Sequence, residues 1–140
     1  MEIVANAIQT VPVNQDVLFT DISVRGNCST IWRPGSGIVT LRGLANGQCR
    51  ARFRAVFGGN IAVPEDETVG PIELTIALNG EGVPTSRMIS TPLDVDAYNN
   101  VSADIYVDGP IGCCTQLTIK NTGASPVNVH NANFIVERVA

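Results

Sequence analysis

The chain has 140 residues, 44% of them hydrophobic and 16% charged, with a formal net charge of −4. That composition describes an ordered globular chain of one domain's length, spanning residues 1–140, and excludes a disordered polymer. A whole-chain field this weak demands neither a nucleic acid nor any other strongly charged partner.

The charge is uneven along the chain. Residues 1–54 hold six arginines against three acids, and residues 55–140 hold three bases against ten acids, so the two halves are expected to attract each other within a chain or between chains. No apolar run approaches the roughly 18 residues that cross a bilayer. The opening MEIVANAIQTV lacks the basic and apolar regions of a secretory leader. A chain made and used without export, and without a membrane partner, is the expectation.

In chain order, the N-terminal segment suits two readings. Ile3, Ala7, Ile8 and Val11 would share one helix face, but no cap precedes them and the remainder is β, so a strand is expected. IVTLRGL (38–44) follows the turn RPGSG, and RARFRAVF (50–57) follows the turn ANGQ. PEDETVGP (64–71) reads as an acidic loop between two prolines. IELTIAL alternates strictly, with Ile72, Leu74, Ile76 and Leu78 on one face and Glu73, Thr75 and Ala77 on the other. It runs into Asn79-Gly80, the strongest short hairpin signal, because a type I′ turn needs positive φ at both central residues. VPTSRMIS (83–90) returns from that turn, TPLDVDAYNN (91–100) is a loop, and VSADIYV (101–107), CCTQLTIK (113–120) and VNVHNANFIVERV (127–139) complete the strand pattern. In the last of these, Val127 and Val129 share one face, while Phe134, Val136 and Arg138 follow as a separate run. Eight to ten short strands without helices predict one all-β sandwich or barrel.

Residues suited to catalysis are sparse. His130 is the only histidine, no strand-turn-helix nucleophile elbow is present, and the glycine pairs fit turns rather than a phosphate loop. No enzyme activity and no cofactor are expected. Asp94, Asp96, Asn99 and Asn100 form an oxygen-rich stretch that suits calcium or another ligand in type, but they lack the glycine and glutamate of an EF-hand; a solvated loop is the plainer reading. Cys28, Cys49, Cys113 and Cys114 have neither disulfide-framework nor zinc-site spacing, and reduced, buried or semi-buried thiols are expected ahead of disulfides or a metal.

The densest charge signal is Arg50, Arg52 and Arg54, on the strand face opposite Ala51, Phe53, Ala55 and Phe57. A nucleic-acid groove would add lysines and exposed aromatics, and this chain has one lysine. A solvated face and a subunit contact remain, and the subunit contact is favoured: guanidinium forks bind carboxylates bidentately and desolvate less expensively than an ammonium. Glu73 and Glu137 are the expected acids.

Six stretches, VNQDVLFTD, GSGIVTLRGL, CRARFRAVFGGNIAVPEDETVGPIELTIALNGE, MISTPLDVDAYNNV, GCCTQLTIKNTG and NVHNANFIVERVA, resemble a family of small proteins of gut Firmicutes and their phages and prophages, found among virion structural proteins. The pattern is also similar to tumour necrosis factor-like and complement-type jelly rolls, including those that cap collagen-like spore filaments, although this chain has no Gly-X-Y stalk. The resemblance implies a jelly-roll β-sandwich of antiparallel strands, a homotrimer, and a place in the virion as a capsid decoration or head-fibre component, with other virion proteins as partners. The alternatives it leaves are a module recognising host glycans or a receptor through the loops PEDETVG, DVDAYNN and GASP, and a spore or cell-surface protein.

Overall fold

The computed structural model of the protein describes residues 1–43 and 50–140, and for Cys113 the backbone alone. The expected ANGQ turn and Cys49 lie outside the described residues. The strands are β1 (Glu2–Ala5), β2 (Gln9–Val11), β3 (Asp21–Val24), β4 (Thr30–Ile31), β5 (Val39–Gly43), β6 (Arg50–Ala62), β7 (Ile72–Leu78), β8 (Glu81–Gly82), β9 (Met88–Ser90), β10 (Asn99–Pro110), β11 (Gly112–Asn121) and β12 (Val127–Arg138). One 3-10 turn, Pro84–Ser86, interrupts them, and no α-helix occurs among the described residues. Eight of these strands have four or more residues, as the sequence pattern requires, and the remaining four are short flanking pieces.

They form two antiparallel sheets. The first runs β10-β6-β12-β1-β3, with β2 also pairing β12; the second runs β4-β5-β11-β7-β8, with β9 also pairing β7. Period-two alternation sends one side of each long strand into the space between the sheets. Along β6 this buries Ala51, Phe53, Ala55, Phe57 and Ile61 and leaves the arginines on the outside. All four phenylalanines, Phe19, Phe53, Phe57 and Phe134, are fully buried, and Phe19 stacks on Phe134 with ring centroids 5.9 Å apart.

Two departures from simple alternation shape the molecule. In β12 the register shifts between His130 and Asn133, around Asn131 at φ 53. The extra residue of this bulge flips parity, so Val127 and Val129 before it and Ala132, Phe134 and Val136 after it all enter the same core. The two runs seen in the sequence are thus one buried face.

The second departure is β7, which is buried on both sides. The hairpin turn forms as expected, with Asn79 at φ 51 and Gly80 at φ 88. The returning chain is not a continuous strand, however. After β8 it leaves the sheet, and Ser86 takes a strand's place: its hydroxyl accepts from the Ile76 N–H at 3.0 Å and lies 2.7 Å from the Val83 carbonyl. This excursion, together with Thr122, covers Glu73 and Thr75, which the alternation alone would leave in water.

Candidate functional site

The outer face of the first sheet is charged at one end. Arg52 donates from Nε to Asp108 Oδ1 at 2.8 Å and from Nη2 to Oδ2 at 3.1 Å. Arg54 grips Asp104 in the same way, at 3.0 and 2.5 Å, and Arg50 lies 3.1 Å from Asp108. The register explains the fit: Arg52 stands directly opposite Asp108, while Asp104 is diagonal to Arg54. Hydrogen bonds from Arg52 and Arg54 hold the carboxyls of Asp108 and Asp104 below the usual aspartate range, and the same bonds raise both guanidiniums. Side chains of the Arg52–Asp108 pair remain 41% and 39% exposed.

The acids that meet the arginine row within the chain are therefore Asp104 and Asp108. Of the two acids expected at a subunit contact, Glu137 stands opposite Arg54 in register and is exposed, whereas Glu73 lies in the second sheet and pairs with Arg87. Asp104 and Asp108 carried a sequence signal of their own. They share a period-two face with Tyr106 in VSADIYVD, and two alternating faces of opposite charge suit neighbouring antiparallel strands.

Away from the arginines the face becomes more apolar. Val4, Val56 and Ile135 are half-buried around Gly58, where a side chain would meet Asn133 Oδ1 at 2.9 Å. Asn133 and Ser23 donate to Glu2 at 3.0 and 2.7 Å, and those two bonds lower the Glu2 carboxyl despite its partial desolvation. Beyond them comes an amide belt in which Asn100 donates to Asn60, Thr10 donates to Asn128, and His130 meets the edge of Tyr98 at 5.8 Å.

The oxygen-rich stretch does not gather. Asp94 accepts from the Val95 N–H, Asp96 turns the chain at φ 54, Asn99 donates to Ser90, and Asn100 faces Asn60. Among the described residues no group of three or more His, Cys, Asp or Glu side chains is placed to hold a metal ion. Cysteine chemistry departs from the expectation of buried reduced thiols. Cys114 is disulfide-bonded and Cys28 is a free thiol at the surface, while Cys49 and the Cys113 side chain lie outside the described residues.

Glu73 anchors a polar network on the second sheet, beside a cavity of about 340 Å³ also lined by Gly82 and Pro84. Its Oε1 accepts from Arg87 Nη2 at 2.8 Å and its Oε2 from the Thr122 hydroxyl. With that proton committed, the Thr75 hydroxyl, 2.6 Å from Thr122, is the donor of the next bond. Burial pushes the Glu73 carboxyl up, but the Thr122 bond and the Arg87 bond and charge outweigh it, and the net direction is down from the ordinary glutamate value. A depressed folded pKa contributes stability that is present above the unfolded value of about 4.3 and lost as pH falls through the folded value. Glu73→Gln should therefore be less stable than the parent at pH 7, with the gap closing below about pH 4.3. Urea unfolding across that range tests this, and a gap independent of pH would show that Glu73 is not the titrating group.

No protein-family model and no curated protein matches the chain. Among solved structures it is similar to the globular domain of zebrafish complement 1qA protein, with a TM-score of 0.69 and 13% identity over 99% of this chain and 95% of that one. Two looser likenesses are the C-terminal domain of EclA, a sugar-binding protein, and a family 35 carbohydrate-binding module from Clostridium thermocellum. The first has a TM-score of 0.41 and 10% identity over 95% of this chain and 79% of that one. The second has a TM-score of 0.36 and 12% identity over 92% and 98%. Both are too distant to bear on the site. Two antiparallel sheets in this strand order, superposing on the complement domain over nearly the whole chain, give the protein a C1q/TNF-like jelly-roll fold.

Proposed function

We propose that the protein is a structural module that works by self-association, as a trimeric decoration or head-fibre component on the capsid of a gut bacteriophage. The observation that carries this reading is the outer face of the first sheet. It combines half-exposed Arg–Asp forks, half-buried Val4, Val56 and Ile135, and a Tyr106 that is 66% exposed. Arginine and tyrosine around a small apolar centre are the composition enriched where subunits meet. The neighbouring edge supports it: β10 is twelve residues long and pairs only with β6 among the described residues. A free edge of that length is a template for unwanted pairing unless something covers it. Packing of further copies against this face and edge would place Arg50, Arg52, Arg54 and Glu137 at the subunit contact. The virion setting is supported by the resemblance of the strand stretches to phage and prophage virion proteins.

Size-exclusion chromatography with light scattering should return three times the 14.8 kDa chain mass. Exchanging the charges, Arg52→Asp with Asp108→Arg, keeps an opposite-sign pair within the chain but inverts what a neighbour meets. The exchanged protein should stay folded and run as a monomer. A parent protein that is monomeric at high concentration would overturn the assembly reading, and its absence from purified virions by mass spectrometry would overturn the capsid setting.

A further inference from the structure

We infer that a cleft at the end of the sandwich, where the chain crosses from β3 in the first sheet to β4 in the second, binds a small oxyanion. The cleft measures about 330 Å³, and Arg25, Gly26, Asn27, Thr30, Glu137 and Arg138 contribute to its walls. Its guanidiniums are not spent on aspartate or glutamate. Neither Arg25 nor Arg138 has an Asp or Glu carboxylate within 4.0 Å among the described residues, and Glu137, at the same cleft, is bonded to neither.

Arg138 supplies the second observation. Its Nε donates to the main-chain oxygen of Ala140 at 3.0 Å, but its Nη2 is buried without a hydrogen-bond partner among the described residues. A buried cationic donor left unpaired carries its full desolvation penalty, which an anionic acceptor would remove. The surrounding groups are also donors. Asn27 Oδ1 is occupied by the Ser29 N–H at 2.8 Å, so its amide nitrogen is the end left to bond a guest. Gly26 is held tightly at the wall, since a Cβ there would overlap Thr30 Oγ1 at 2.3 Å. Two guanidiniums and a carboxamide against one side-chain carboxylate, Glu137, make the cleft rich in donors and acceptor-seeking. The matching chemistry is a carboxylate, phosphate or sulfate group, whether free or carried on a small hydroxylated molecule such as a uronic acid.

This site does not rest on self-association, and its test reads binding directly. Amide NMR spectra of the whole chain would be titrated with sodium phosphate and with sodium glucuronate at constant ionic strength, with glucose as the uncharged control. Saturable shifts are expected at Gly26, Asn27 and Thr30 with at least one anion and none with glucose. Arg25→Met and Arg138→Met should each weaken binding by tenfold or more, and the exposed Arg25 carries the test if the Arg138 variant does not fold. Response to phosphate alone identifies a free inorganic ion as the guest, and a stronger response to glucuronate identifies an acidic sugar. No saturable shift with either anion, or the same affinity in Arg25→Met, would overturn the proposal.

Discussion

Phe134→Ala should lower the free energy of unfolding by about 3–5 kcal/mol, the range for removing a fully buried aromatic ring from a packed core. Phe134 has no solvent exposure and sits in β12, with β6 hydrogen-bonded on one side and β1 on the other. Neither neighbour can close in without breaking ladder bonds, so the cavity stays largely open. Its ring also stacks on Phe19, from the segment before β3, at an interplanar angle of 24°. Phe19→Ala made alone and in combination should show a coupling of about 0.5–1.5 kcal/mol beyond additivity. Urea unfolding at pH 7 without reductant reads both effects as midpoint shifts at constant slope. A single-variant loss under about 1 kcal/mol would contradict the burial of this position.

Asn121→Asp is expected to be nearly as damaging, although it preserves shape. The Asn121 side chain is fully buried at the end of β11, where its Nδ2 donates to the carbonyls of Val11 at 3.0 Å and Ser125 at 2.9 Å. Its Oδ1 accepts from the Gly123 N–H at 3.0 Å. A carboxylate keeps the last bond, loses the first two at about 0.5–1.5 kcal/mol each, and sets its charge against two carbonyl oxygens. Burial would raise the introduced carboxyl's folded pKa above its unfolded value, so the penalty grows as pH rises through the unfolded value and shrinks in acid. Thermal unfolding at pH 7 and pH 4 should show the larger deficit at pH 7. Equal deficits at both would mean the introduced group stays in water.

Asn121 also marks where sequence reading stops. NTGASP reads correctly as a turn, but nothing local says that its first residue turns inward to tie β2 to the chain after β11. Period-two patterns were legible wherever a strand has one wet face. The alternation of β6 places its arginines and phenylalanines, and Asn79-Gly80 places the hairpin. The pattern misleads for Glu73 and Thr75, because what covers them is a non-local excursion held by Ser86, whose hydroxyl replaces a ladder bond. The change of parity in β12 was visible as two runs, and only the bulge at Asn131 shows that they are one face. For the arginine row, the charges on both strands were readable and their pairing was not. Asp104 and Asp108 lie some fifty residues away, and pairing depends on which strands become neighbours.

The placement of β1 bears on how the protein is made. Met1 and Val136 exchange backbone bonds across 135 residues of chain, and β1 is an interior strand flanked by β12 and β3. During synthesis β1 is therefore made well before its principal neighbour, β12, and waits for it. The first sheet cannot close before β12 has been made, and sequence-distant pairing of this kind folds slowly. From β1 to β12 the growing domain carries one sheet incomplete, a window in which chaperone capacity and temperature decide the yield of native protein.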